Sequence, residues 1–228
     1  ASYGHSFNPP PLSQVYRYSD IVKANPNLDP ERSDSFEIGL KKEWNTKTTL
    51  NVSGFYVKTK DKIKYVTYYD RNGDVDYKMY NNVDLETRRG VELEVRHKLS
   101  SKWSVFGNYT WQMGRIKHKE LPNTNTNEYT EINYDIPKHI FHAGLEYTSG
   151  KWNALWDTQY VSRRQSVDDI TGQYGSEDSY FISNIAMNYK FSKEATLQFG
   201  IQNVFNRIFF NDEATAGRTY SASMKFKF

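Results

Sequence analysis

Polar and apolar residues alternate with a period of two over most of this chain. At the C-terminus Tyr220, Ala222, Met224, Phe226 and Phe228 share one parity, and Thr219, Ser221, Ser223, Lys225 and Lys227 the other. Val91, Leu93 and Val95 alternate with Glu92, Glu94 and Arg96, and Trp103, Val105, Gly107, Tyr109 and Trp111 with Ser104, Asn108, Thr110 and Gln112. Residues i and i+2 fall on opposite sides of a helix but on one face of a strand, so these segments predict strands. The pattern places ten of them near 1–7, 33–44, 48–65, 77–98, 103–115, 136–148, 152–165, 179–191, 195–210 and 217–228. No run of eighteen apolar residues predicts a membrane helix.

The connections alternate in length. Asn45-Thr46-Lys47, Ser100-Ser101-Lys102, Ser149-Gly150-Lys151 and Ser192-Lys193-Glu194 are tight; 8–32, 116–135, 166–178 and 211–216 are long and polar, with a tall hairpin around 66–76. Short turns at one end and long loops at the other are expected of an all-β, transmembrane antiparallel β-barrel. Trp44, Trp103, Trp152, Phe191 and Phe228 each lie within about two residues of a tight turn or the chain end, where an interfacial aromatic girdle belongs. A looser aromatic group, Tyr109, Trp111, Trp156, Tyr160 and Phe181, lies toward the long loops.

Mean hydropathy is −0.81, which excludes a helical membrane protein but not a barrel, whose strands dilute apolar residues to every second position. Aromatics form 16% of the chain, with 18 Tyr, 13 Phe and 5 Trp. The absence of cysteine removes disulfides and thiol chemistry. A net charge of +3, spread along the chain, offers no nucleic-acid patch. The opening Ala1-Ser2-Tyr3-Gly4 has neither the basic start nor the apolar core of a signal peptide, so a mature or truncated chain is expected.

Seven segments carry a family resemblance. They are Ser2-Tyr3-Gly4-His5-Ser6-Phe7-Asn8-Pro9-Pro10 with Leu12 and Tyr16; Asn25-Pro26-Asn27-Leu28-Asp29-Pro30-Glu31 with Ser33, Glu37 and Gly39; Phe55-Tyr56 with Asp61-Lys62-Ile63; Asn82 with Gly90-Val91-Glu92; Pro137-Lys138-His139; Asn203-Val204-Phe205-Asn206; and Gly217-Arg218-Thr219-Tyr220 leading to Phe228. In this order they resemble the TonB-dependent outer-membrane receptor family. The resemblance implies that 1–228 is a single piece, the C-terminal part of a barrel of about twenty-two strands, without its N-terminal plug. It implies import of an iron chelate, a siderophore first, with heme or cobalamin as alternatives within the family. Expected partners are outer-membrane lipid, TonB through the plug, and the barrel-assembly machinery, read through Tyr220, Met224, Phe226 and Phe228. No cofactor is implied; the chelate is cargo.

Other chemistry is poorly supported. Asp70 to Asp76 superficially resembles a calcium loop, but Gly73 stands at position four and Asn81 at twelve, where an EF-hand needs Gly at six and Glu at twelve; Asn72-Gly73 reads better as a hairpin turn. His139 and His142, three apart, fall on opposite strand faces and form no metal pair. No histidine lies between Phe7 and Asn25, where heme receptors of the family carry one. Glu92, Glu94 and Arg96 read as lumen wall or plug contact rather than catalysis. Ligand capture is expected in the loops, from Tyr16, Arg17, Tyr18, Tyr68, Tyr69, Arg163 and Arg164, whose rings and cations suit anionic, often aromatic iron chelates. A ten-stranded outer-membrane protease or lipase and a soluble carbohydrate-binding sandwich are the rival readings.

Overall fold

The structure, a computed structural model, describes residues 1–124, 128–167, 174–211, 213–214 and 216–227. In chain order the elements are β1 (Ser2–Asn8), α1 (Leu12–Val15), β2 (Glu31–Trp44), β3 (Thr48–Tyr69), β4 (Val75–Lys98), β5 (Trp103–His118), β6 (Tyr129–Asn133), β7 (His139–Ser149), β8 (Trp152–Val161), β9 (Arg164–Val167), β10 (Tyr174–Glu177), β11 (Tyr180–Lys190), β12 (Ala195–Gln202), β13 (Phe210–Asn211), β14 (Glu213–Ala214) and β15 (Thr219–Phe226). One sheet runs β1-β2-β3-β4-β5-β7-β8-β11-β12-β15, with β6 added on β5; β9-β10 and β13-β14 are small hairpins. The ten strands of that path are the ten that alternation predicts.

Register carries one apolar face across the sheet. Val105 faces Leu145, Leu145 faces Trp156, Trp156 faces Ile185, Ile185 faces Ile201, and Ile201 faces Tyr220. A second row runs Trp103, Tyr147, Ala154, Met187, Phe199 and Ala222. These side chains cover no protein core: Trp103, Trp156, Met187, Phe199 and Tyr220 are exposed, as are Phe36, Ile38 and Leu40 of β2. Among the described residues the buried hydrophobics are only Val22, Val66, Val83, Ile116, Val161 and Ala195. A surface so apolar needs an apolar solvent, and acyl chains supply it.

The opposite face is wet. Asn153 donates to Thr148 at 3.0 Å, Asn188 to Asn153 at 3.3 Å, Gln198 to Asn188 at 3.0 Å and Ser223 to Gln198 at 3.4 Å, a ladder of side-chain hydrogen bonds across β7, β8, β11, β12 and β15. Arg96 pairs with Glu146 at 2.9 Å and Glu94 accepts from Asn51, so β4 turns Glu94 and Arg96 to this polar side.

The tight turns are built for φ > 0 or for serine caps. Asn45 and Thr46 adopt φ of 49° and 53°, and Gly150 has φ 57°; two consecutive positive values match the turn twist a two-stranded hairpin prefers. Ser100 Oγ accepts the N–H groups of Lys102 and Trp103, and Ser192 Oγ those of Glu194 and Ala195. Neighbouring turns are tied by backbone bonds, Lys98 to Lys47, Thr148 to Lys102 and Lys190 to Lys151, which sets them in one row.

Several boundaries differ from the sequence reading. The hairpin expected at 66–76 is strand almost to its tip, since β3 runs to Tyr69 and β4 starts at Val75. The segment 195–210 stops at Gln202, because Asn203 and Asn206 take φ of 51° and end the pleat. Strand 152–165 stops at Val161, and 136–148 begins only at His139, after Pro137. Asp61, at φ 57°, breaks the parity of β3. Thr59 meets Ser33 and Phe55 lies under Arg88, yet three residues past Thr59 it is Lys62 that meets Glu86 on the same side. That single-residue offset is a β-bulge.

Two compact units are distinguishable: Ala1–Ile38 with Gly54–Gly90 and Met113–Asn133, and Gly39–Ser53 with Val91–Gln112 and Tyr134–Phe228.

Candidate functional site

In the first unit, the loop after β1 lies along the outer end of β4. Lys23 donates its N–H to the Lys78 carbonyl at 2.9 Å, Lys78 donates to Ile21 at 2.7 Å, and Val22 is buried beneath. This docking sets rings and cations on both faces of the outer end of β3 and β4, Tyr65 with Tyr80 on one and Tyr68 with Tyr77 on the other. Lys23 Nζ is 3.5 Å from the Tyr77 ring centre, Tyr77 stacks on Tyr68 at 4.6 Å, Tyr65 packs on Tyr80 at 4.8 Å, and Arg17 and Lys78 stand 5.9 and 5.8 Å from the Tyr65 ring. Tyr16 and Tyr18 project into solvent, Tyr18 at 79% exposure. Tyr69 contributes its backbone, donating to Asn123 at 2.9 Å. Tyr68 lies beyond the ~9–11 residues a tilted strand needs to cross a bilayer; partial burial and the facing Tyr77 push its phenol up, against a lowering contribution from the Asn81 amide.

Sequence reasoning names Arg17 and Tyr68 in this cluster but misses Lys23, Tyr65, Tyr77, Lys78 and Tyr80. The signal was present as the dense Tyr/Lys composition of 60–80, but the bulge at Asp61 hides which residues converge. In the second unit, Arg163 pairs with Asp178 at 3.0 Å, and Arg164 pairs with Glu177, its cross-strand neighbour in the β9–β10 hairpin. Both cations are therefore already matched by carboxylates.

The segment 25–30, just before β2, is held by side chains rather than by sheet. Asn82 accepts the Asp29 N–H at 2.8 Å and donates to the carbonyls of Asp29 and Asp61 at 2.8 and 2.7 Å; Asn25 donates to Tyr80 O and Asn81, and Glu31 accepts the Ile63 N–H. These motif positions brace the loop that carries the cluster. Below it, on the wet face, His118 Nδ1 stands 3.0 Å from Asp84 and Nε2 2.8 Å from Glu131. Asp84, 0% exposed, also meets Lys64 at 2.9 Å, while Glu86 takes Lys62 and the Asn133 amide. Half-exposed lysines and the buried His118 ring thus face carboxylates along this wall. Among the described residues no His/Asp/Glu group is placed to hold a metal ion.

At the other sheet end, Tyr220, Met224 and Phe226 stand on the exposed apolar face of β15, registered against Ile201, Leu197 and Ala195. Phe228 lies outside the described residues.

Long antiparallel strands with a continuous apolar outer face, a polar inner face and turns in one row define a portion of an outer-membrane barrel. Residues 1–204 match the family model described as TonB dependent receptor-like, beta-barrel, and the chain belongs to that family. It is 22% identical over 227 residues to the vitamin B12 transporter BtuB of Vibrio vulnificus, covering 96% of this chain and 32% of that protein. It is 21% identical over 185 residues to the catecholate siderophore receptor Fiu of Escherichia coli K12, covering 79% and 22%. The siderophore receptor PirA from Acinetobacter baumannii superposes with a TM-score of 0.76 at 18% identity, over 99% of this chain and 38% of that one. The chain thus spans less than two-fifths of each of these relatives. Family membership places it in the outer membrane of a Gram-negative bacterium, and removes the protease, lipase and soluble-sandwich readings.

Proposed function

We propose that this chain is part of the barrel wall of a receptor that imports a ferric chelate, an anionic aromatic siderophore above all, with energy supplied through TonB. The observation that carries the reading is a pair of ring–cation groups on the two faces of the outer end of β3 and β4, Lys23 with Tyr68 and Tyr77 on one and Arg17 and Lys78 with Tyr65 and Tyr80 on the other. Cations give the attraction for an anionic chelate and ring faces the stacking surface. Tyr16 and Tyr18 extend that surface into solvent, and Tyr69 adjoins it. In the second unit, Arg163 and Arg164 meet an anion only by releasing Asp178 and Glu177. Tyr220, Met224 and Phe226, with Phe228, form the mark read by the barrel-assembly machinery.

The test is uptake of iron-55 chelates by a strain whose only receptor is the full-length protein. A catecholate chelate is taken up, and R17Q/K23Q/K78Q raises the half-saturating concentration about tenfold or more, since each charged contact to an anion is worth roughly 1.5–3 kcal/mol. Uptake of labelled cobalamin or heme instead, unaffected by the triple variant, sinks the reading. Cobalamin is the alternative that the BtuB relationship favours.

A further inference from the structure

The outward face of β3, β4 and β5 changes character along each strand. On β3, Tyr56 is followed by Lys58 and Lys60; on β4, Val91 is preceded by Arg89 and Thr87; on β5, Met113 is followed by Arg115 and Lys117. The parity is fixed by contacts on the other side. Thr59, Glu86, Arg88 and His118 engage wet-face partners, so Lys58, Thr87, Arg89, Arg115 and Lys117 point outward. Tyr56, Thr87, Arg89, Met113 and Arg115 line a shared cleft. Counted from the tight turns, the first outward cation comes about eleven residues along β3 and β4 and about thirteen along β5, just past the ~9–11 residues a tilted strand takes to cross the hydrocarbon. The basic row therefore sits at the level of the headgroups on the loop side.

Its charges are not equally free. Lys117 pairs with Glu128 at 2.5 Å, and Lys60 stands near Asp34, which Tyr3 and His5 also hold. Lys58, Arg89 and Arg115 have no ion pair among the described residues. Unpaired arginines facing outward beside a tyrosine and a methionine are costly against acyl chains, and useful only where phosphate meets the chain ends.

We infer that Lys58, Arg89 and Arg115, with the Tyr56 ring beneath them, form a docking site for a phosphorylated lipid headgroup of the outer leaflet. The guanidinium groups grip phosphate oxygens in pairs, Lys58 adds a point charge, and Tyr56 with Met113 packs against the first carbons of the acyl chains. The occupant is a lipid rather than free phosphate, because the cleft opens onto the apolar face. The assignment does not depend on which chelate the receptor carries.

Binding of bis-phosphorylated lipid A to the detergent-solubilised full-length receptor provides the test, using R89Q/R115Q and, as a control outward lysine by the turn row, K42Q. Folding of each variant is verified by the heat-dependent gel shift of intact barrels. The site predicts that R89Q/R115Q binds lipid A at least about tenfold more weakly, a loss of roughly 1.4 kcal/mol or more. It also predicts that K42Q binds within about threefold of the unmodified receptor, that R89K, which keeps the charge but loses the paired contact, is weakened less than R89Q/R115Q, and that dephosphorylated lipid A binds as weakly to the parent as lipid A does to R89Q/R115Q. Equal affinity of R89Q/R115Q and parent overturns the proposal, as does equal affinity for the dephosphorylated lipid. Displacement of lipid A by millimolar inorganic phosphate overturns it too, in favour of a free-anion site.

Discussion

Asparagines at φ > 0 or in loop brackets do much of the structural work that alternation cannot. Asn82 makes three hydrogen bonds that fasten Asp29 to the bulge at Asp61. Asn82→Ala strands these backbone groups, and is predicted to cost about 2–4 kcal/mol if two of them find no water. Limited proteolysis reads this as new cleavage within 9–30, and an unchanged digestion pattern contradicts the bracket. Thr46 takes the opposite role: a β-branched residue at φ 53° in the β2–β3 turn is strained. Thr46→Gly relieves that strain and is predicted to stabilise the barrel by about 0.5–1 kcal/mol, net of the extra freedom glycine gains when unfolded. Urea midpoints in detergent check the sign; a lower midpoint means the turn tolerates Thr46 without cost.

At the scale of elements, what each strand buries is set by register. Val105 is in the row that crosses to Tyr220, whereas Ser104 is on the other face and donates to Glu146 at 2.7 Å. Val105→Lys, two residues inside the girdle at Trp103, is therefore predicted to destabilise the barrel by about 1–3 kcal/mol, between the interfacial and the midplane cost. Ser104→Lys, whose amine reaches the Glu146 carboxylate, changes stability by less than about 1 kcal/mol. Unfolding in lipid vesicles distinguishes the two, and equal losses would remove the distinction between faces.

The same logic explains what was legible in the sequence. All ten path strands could be read because lipid on one side and water on the other force a two-residue period. Both ends of β11 and the start of β8 could be placed within a residue or so, since Trp152 and Lys190 flank tight turns. The end of β12 could not, because Asn203 leaves the pleat through its backbone angle while Val204 and Phe205 keep the alternation going. The aromatic-cationic cluster was only half legible: Arg17 and Tyr68 stand out as loop residues, but Lys23 and Lys78 meet only because 19–23 pairs with β4. No local pattern encodes such a non-local bridge. The outward basic row was hidden because charge alone does not say which face of a strand a residue takes; the partners of Thr59, Glu86, Arg88 and His118 fix it.

For the whole molecule, the central claim is that one face of these strands meets acyl chains and the other water, in a segment of a receptor barrel. The chain has no cysteine, so single cysteines introduced at 220 through 226 can each carry a spin label in the full-length receptor reconstituted into liposomes. Collision with dissolved oxygen should peak at 220, 222, 224 and 226, and collision with a water-soluble nickel chelate at 221, 223 and 225. Uniform accessibility along the segment, or the two profiles interchanged, would contradict the account.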